Sequence, residues 1–552
     1  MKKYPLFLSF LFCVNAAFSQ WNAAPWANNP ISVQPYDQQD VKITSDSKGG
    51  AILAWLDFRA DFLQKKGDIY VQRIDRDGYI KWTLNGILVC GGDSDQTAPV
   101  IEEDGVGGAL IAWVDKRNGT KDIYAQRIDS MGNVLWGTNG VGAAVKSGSQ
   151  DNPRILDDGS QGALLIWEDD SLVNGDANLF MQHISNTGSV LWGASGYRVC
   201  NSPGAQINPK MTSNTAAGAI ITWQDKRNGS DYDLYAQHVN ASGIMQWTAN
   251  GTPICLFAET QSNPKIVSDL AGGALISWQD KRSGIDYDIY AQYINWAGAV
   301  QWLTGGKVIC NSLGVQSAID MTGDASGGAI ITWKDGRSAT NFDIYAQKIN
   351  LAGTVQWTSN GVGIVTSAND QVNPNVVPDG LGGAIVVWQD SSLGNWDVRS
   401  QRIDAAGSLL WTAGGVDVGN CYGNQTSPKN VSDGMGGSIY SFQDKRSGDF
   451  DVYAAKVDAS GTLVSVQDLH GREDRVKVFP NPSSGPVTIK VNGAEFGSSF
   501  TVEIYNLQGE LLSTGLVKGK GEFVIAQKMQ AGTYMYRVSG KSQTYYGKFI
   551  IE

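Results

Sequence analysis

Histidine is almost missing from this 552-residue sequence, which has only His183, His238 and His470. Acid–base chemistry built on imidazole therefore has little material here. Charge is sparse too, at 18% of residues, and the formal net charge is −11. A chain that acidic is not predicted to bind nucleic acid. No apolar run beyond the N-terminus is long enough to span a bilayer. Cysteine is scarce, and no C-x-x-C or zinc-type spacing occurs. Cys13 lies in the N-terminal apolar run; the other five are Cys90, Cys200, Cys255, Cys310 and Cys421. The first four of these each fall eight residues after a tryptophan (Trp82, Trp192, Trp247, Trp302). They sample one repeat position four times, so buried thiols are expected rather than a disulfide framework.

What the chain does have is glycine (66 residues), tryptophan (18) and 42% hydrophobic residues. This composition suits an all-β protein rich in tight turns. The first residues, MKKYPLFLSFLFCVNAAFSQ, form a basic n-region, an apolar run from Pro5 to Ala17 and a small-x-small site at Ala17-Phe18-Ser19. A signal peptide over 1–19, cleaved to leave Gln20, is predicted.

From Gln20 to about Val466 one pattern recurs eight times: GGAxIxWxDxR, a loop, DIYAQxI, a Gly turn, a Trp, then NG or GG. The anchors are Trp55, Trp113, Trp167, Trp223, Trp278, Trp333, Trp388 and Phe442, spaced 54 to 58 residues apart. An aspartate always follows two places later, and an arginine two beyond that in six repeats. Each unit reads as four short strands; in the fifth they are KIVS, GALISW, DIYAQYI and VQW through KVIC. Units of this length fit the blades of a propeller. The eighth unit lacks its W-x-x-N-G segment, and Trp26 to Val33 parallels the missing piece, as seen at Trp247 to Ile254. The fold predicted for 20–466 is thus an eight-bladed β-propeller of four-stranded blades, closed by an N-terminal strand. A segment such as Asp129-Ser-Met-Gly132-Asn-Val-Leu-Trp136 loosely resembles the tryptophan-docking repeat of quinoprotein propellers, with the Asp-to-Gly spacing one residue short. WD40 and kelch signatures fit less well.

After a polar linker (467–474) the pattern changes. VFPNPSSGPVTI (478–489), VEIYNLQGELL (502–512), MQAGTYMYRV (529–538) and GKFII (547–551) succeed one another. Residues 475–552 resemble the type A C-terminal sorting domain of type IX secretion substrates, found in Bacteroidetes-type bacteria. The motif residues are Pro480, Asn481, Pro482, Gly485, Gly509, Gly532, Tyr534, Gly547 and Lys548. The resemblance implies a small β-sandwich, the type IX machinery as a partner, and delivery across the outer membrane to the cell surface or the medium. The strand-and-turn pattern of these residues reads independently as a small sandwich.

The dense clusters such as WQDKRSGIDYDIYAQ (278–292) recur around the whole ring, whereas a catalytic constellation is normally unique. They are therefore read as scaffold, with Asp–Arg bonds holding the loops. Calcium at Asp231 and Asp233 is a minor reading, since EF-hand spacing is absent. No catalytic residue, cofactor or metal ligand is assigned. The predicted function is binding or adhesion to an extracellular glycan or surface protein by a monomer. A polysaccharide lyase or glycosidase is the alternative, lacking an identifiable acid–base pair. Candidate ligand-face residues are Trp296 and Trp396, outside the repeated tryptophan positions, with Asp170 and Arg399, where blades three and seven depart from the repeat. Lys42, Arg154, Lys210, Lys265 and Lys429 occupy one position of the innermost strand and are predicted as a partial basic ring near the axis.

Overall fold

A computed structural model describes residues 21–464, except 23, 62, 64, 65, 172–175 and 216. It also describes 476–551, except 481, 482, 484, 492–498, 507–510, 519, 520, 526–528 and 540–543. The chain divides into two compact units, Met1–Val464 and Ser465–Glu552. The predicted signal peptide and the 467–474 linker lie outside the described residues.

The first unit consists of eight four-stranded antiparallel sheets in chain order, the eight predicted blades. In blade five the strands are Gln261–Ser268, Ala274–Asp280, Asp288–Ile294 and Lys307–Cys310. The innermost strand starts earlier than the KIVS reading because it contains a bulge, where the register shifts between Ser262 and Lys265. At the bulge Asn263 takes φ 51°, a left-handed conformation that asparagine tolerates. The same bulge residue recurs in every blade: Asp40, Ala98, Asn152, Asn208, Asn263, Ala318, Asn373 and Ser427, with φ between 51° and 53°. The VQW segment is not a full strand; only an isolated bridge links Ile294 to Val300. Between them the chain turns so that Trp302 reaches the next blade, where its Nε1 donates to Leu351 O (2.9 Å).

Blades pack through eight apolar clusters, each shared by neighbouring blades. That between blades one and two joins Val89 and Cys90 to Ala109, Ile111 and Trp113. The anchor tryptophans are fully buried at these joints. Gly251 of an NG turn has φ 94°, and a Cβ there would lie 2.5 Å from Trp223, which is why glycine precedes the outer strand.

The ring closes as predicted by an N-terminal strand. Asn29–Ser32 pairs with Asp451–Val457 as the fourth strand of the eighth sheet. An apolar cluster containing Ile31, Val41, Trp55, Ile439 and Val452 seals blade eight against blade one. The alignment with Trp247 needs correcting, however. Ser32 opposes Val452 as Cys255 opposes Leu234, two places away from the register the sequence match implied. Trp26 is 64% exposed, and Trp21, 1% exposed, takes the docking role with Nε1 donating to Arg76 O (2.9 Å).

The second unit holds a three-stranded sheet (Val476–Phe479, Val487–Val491, Gly521–Ile525) and a four-stranded one. The latter is ordered Leu511–Lys518, Ser499–Tyr505, Gly532–Ser539, Thr544–Ile551. Ile489 from the first sheet and Phe500, Val502, Val538 and Phe549 from the second form a common core, a small sandwich.

Candidate functional site: the axial channel

Each blade's repeated ionisable groups are tied into its frame. In blade two, Asp115 accepts from Trp113 Nε1 (2.9 Å), Arg117 N (2.9 Å) and Arg117 Nη2 (2.6 Å). Arg117 continues to Asn139 O and to Cys90 Sγ of blade one, both at 2.9 Å, and lies over the Tyr124 ring. Burial alone raises the Asp115 carboxyl, but the bonds from Arg117 and Trp113 hold it below the usual range. Burial pushes the Cys90, Cys200, Cys255 and Cys310 thiols up, so they stay protonated and inert. They are free, as the spacing predicted.

The Asp-x-x-Gly-Gly turns are equally local. Asp269 Oδ1 accepts from Ala271 N (2.7 Å) and Gly273 N (2.8 Å) while Oδ2 accepts from Tyr293 OH (2.9 Å). The long polar residue of the third strand is this turn's partner in each blade. Arg73 bonds Asp46, Arg127 bonds Asp104 and Arg402 bonds Asp379 at 2.8 to 3.0 Å. The two propeller histidines hold the same position: His183 Nε2 lies 2.7 Å from Asp158, and His238 pairs with Asn214. Burial lowers the pKa of His238, consistent with a neutral ring opposite an amide.

The four ligand-face candidates do not converge. Asp170 and Trp396 lie in second-to-third-strand loops of opposite blades; Trp296 lies in a third-to-fourth-strand turn, at the other end of the strands. Trp296 is 70% exposed. Arg399 sits beside Trp388 in register and bonds Asp417 Oδ1 (2.8 Å). Asp170 accepts from the backbone N of Ser149 and donates its own N to Ser149 O (3.1 Å). Both departures from the repeat are made good locally. Where blade three has Ser171 for arginine, Lys146 of blade two reaches in, 2.9 Å from Asp169 and 3.8 Å from the Phe180 ring centroid. Where blade seven has Ser392, its hydroxyl bonds Asp390.

The innermost strands bring a different set together. Pairing with the second strand puts Lys42, Val100, Arg154, Lys210, Lys265, Asp320, Asn375 and Lys429 at one level of the ring. Five of the eight are cations, as the sequence reading had it. Lys265 Nζ bonds Asp320 Oδ1 (2.8 Å), and Asp320 Oδ2 accepts from Asn375 Nδ2 (2.5 Å) and Val376 N (3.0 Å). Lys42 pairs with Asp40. Lys210 meets only neutral oxygens, Asn208 Oδ1 (2.5 Å) and Pro209 O (3.3 Å), and Arg154 Nη1 donates to Pro153 O (2.7 Å). Burial, with Arg154 and Lys265 on either side, pushes Lys210 well below the lysine range; burial also lowers Arg154 and Lys429. These three face no carboxylate within 4 Å among the described residues.

Between Arg154, Lys210 and Lys265 lies a cavity of about 590 Å³, also lined by Asn208, Asn263 and Gln279. It lies toward the start of the innermost strand, the end that pairs with Asp280 and so with the Asp–Arg loops. The sequence reading missed its amide wall, whose signal is the recurring Asn-Pro before the cation (Asn152-Pro153, Asn208-Pro209, Asn263-Pro264). Bulged asparagines reach back one strand, Asn208 Nδ2 to Gln224 Oε1 and Asn263 Nδ2 to Gln279 Oε1, both 2.9 Å. Their backbone N–H groups reach across blades, as Asn263 N does to Gln224 Oε1 (3.1 Å). Among the described residues no cluster of three or more metal-binding side chains occurs.

In the second unit, Tyr534 stacks on Phe549 with centroids 5.6 Å apart, and its hydroxyl donates to Gln530 O (2.8 Å). Gly485 N donates to Ser483 Oγ (3.1 Å). Pro480 follows the first strand and Gly532 opens another. Gly547 and Lys548 pair with Tyr536 and Met535 through the backbone. Asn481, Pro482 and Gly509 lie outside the described residues.

Residues 477–552 match the family model of the secretion system C-terminal sorting domain. The chain therefore carries a type IX sorting signal and is secreted across the outer membrane to the cell surface or extracellular space. No curated protein sequence matches the chain. Among solved structures, a puromycin-hydrolysing peptidase of Mycobacterium tuberculosis aligns at 10% identity and TM-score 0.41. That alignment covers 77% of this chain and 61% of the peptidase, so the chain spans less than two thirds of that protein. A PL25 ulvan lyase aligns at 10% identity and TM-score 0.38, covering 82% of this chain and 98% of the lyase. An endo-arabinase of Bacteroides thetaiotaomicron aligns at 13% identity and TM-score 0.29, covering 50% and 98%.

Proposed function

We propose that the protein is an extracellular binding module, a propeller (20–466) made with a leader (1–19) and joined by a linker (467–474) to the sorting domain (475–552). It recognises a surface glycan or protein partner. One contrast carries this reading. The repeated Asp, Arg and His side chains are consumed by the frame, whereas the axial channel holds cations that the frame does not neutralise. A uniquely placed acid and base, which glycoside cleavage needs, is not apparent in that set. The lyase and arabinase names of two fold neighbours belong to those proteins and add nothing to the case.

The test is binding of the full secreted chain to a glycan array, with and without EDTA, together with an assay for new reducing ends on bound glycans. Selective retention without cleavage is expected. Turnover of any retained glycan would replace this reading with the enzymatic one.

A further inference from the structure

We infer that the pocket formed by Arg154, Lys210 and Lys265 is an anion site that takes an acidic sugar unit, one bearing a carboxylate or sulfate. The inference deepens the binding-module reading and rests on it. Of the residues lining the cavity, Arg154, Lys210, Lys265 and Lys334 are cationic and none is a carboxylate. Two acids act on these cations without lining the cavity, Asp320 on Lys265 and Glu168 on Arg154 and Lys210. Asp320 is held by Lys265, Asn375 and Val376 N, and Glu168 Oε1 accepts from Asn152 Nδ2 (2.5 Å) and Asn208 N (2.7 Å). Lys210 lies between Arg154 and Lys265 with no ion pair of its own and only a partial offset from Glu168, so a bound anion would relieve the repulsion among the three.

Size and chemistry narrow the ligand. A cavity of about 590 Å³ is within the range of small-molecule sites and much larger than a lone inorganic anion needs. Its walls are rich in donors: one guanidinium, ammonium groups, and the amides of Asn208, Asn263 and Gln279. A partner matched to them is rich in acceptors, with hydroxyls for the amides and one or more anionic groups for the cations. No aromatic ring lines the pocket, so a nucleobase or other flat ring has nothing to stack on.

The test is calorimetric titration of the full secreted chain and its Lys210→Gln and Arg154→Gln variants. The probes are digalacturonate, a sulfated disaccharide, neutral cellobiose and inorganic phosphate. Saturable one-to-one binding of an acidic disaccharide is expected. It should weaken at least tenfold in Lys210→Gln and Arg154→Gln and recover in Lys210→Arg, with cellobiose at least a hundredfold weaker. Thermal melts establish that the variants fold; Lys210→Gln removes a poorly solvated charge and should melt no lower than the parent. Cellobiose binding equal to digalacturonate, unchanged affinity in folded variants, or phosphate binding as tightly as the disaccharides would each overturn the inference. If the chain retains array glycans but neither acidic disaccharide binds, the pocket assignment fails and the binding module stands. If nothing is retained anywhere, both fail.

Discussion

Lys265 Nζ sits 2.8 Å from Asp320 Oδ1, the one place where the axial cations meet a carboxylate of their own ring. Lys265 and Lys429 together hold that carboxyl below its usual range despite burial. Asp320→Asn should therefore cost about 2 kcal/mol, as expected for losing a charge-assisted bond. It should also tighten digalacturonate binding, since one more channel cation loses its internal partner. Urea unfolding and the titration above read the two effects in opposite directions.

Trp21 and Trp26 make a controlled pair. Trp21 is buried in the seam between blades eight and one, so Trp21→Ala should lower stability by about 3–5 kcal/mol. Trp26→Ala removes an exposed ring, leaves the backbone carbonyl that Arg446 Nη1 uses (3.0 Å), and should change stability by less than about 0.5 kcal/mol. Equal effects in a denaturant titration would contradict the assigned register.

Lys146 replaces the missing arginine of blade three. Lys146→Ala should destabilise by about 1–3 kcal/mol, because it leaves Asp169 short of a cation. Adding Ser171→Arg restores the repeat's own arrangement and should recover most of the loss. Failure of that rescue in unfolding curves would show that the two solutions are not equivalent.

Acidity should have opposite effects in two ranges. Burial raises Asp68, Asp233, Asp288, Asp397 and Asp451, each at the start of a third strand, to about 6 from an ordinary 3.8. The folded state binds more protons than the unfolded one between those values, so stability rises as pH falls through 6 towards 4. Asp115, Asp158, Asp320 and Asp324 are depressed instead; the stability they contribute is present above 3.8 and is lost as pH falls through their lower folded values. Melting temperature should accordingly peak between about pH 4 and 5.5.

The next blade's first glutamine bonds the strand start that carries one of these carboxyls. Gln316 N donates to Tyr287 O (2.8 Å), the residue before Asp288, and its buried Oε1 has no partner. In blade three the corresponding Gln150 is satisfied with its nitrogen turned to Asp122 Oδ1 and Lys121 O, both at 3.1 Å. Asp288→Asn should flatten part of the rise in melting temperature between pH 7 and 5, as thermal melts followed against pH would check.

The ring was legible because a repeat constrains itself. Trp278-x-Asp280-x-Arg282 means little once, but eight copies with Phe442 at the last place define blades, and the truncated eighth copy points to the N-terminus. The register of the closing strand was not legible. Pro30 and Ser32 flank an irregular step in pairing, and a tryptophan at 21 or at 26 satisfies the same pattern. The basic ring could be read from register alone, since one strand position faces one way. The amide wall was hidden because the bulge at Asn208 and Asn263 shifts which side chains share a face. Asp170 looked like a functional departure because a compensating partner, Lys146, arrives from the preceding blade, far from the motif it completes.

The closing strand also decides how the ring carries mechanical load. Both ends of the propeller chain meet in one blade, where Asp451–Val457 is hydrogen-bonded between Ser438–Asp444 and Asn29–Ser32. A pull applied beyond Val464 would enter through that middle strand and be shared by two ladders rather than one. Under such a load the N-terminal segment would act as a clasp, and cutting its ladder would leave the last blade held by one neighbour alone.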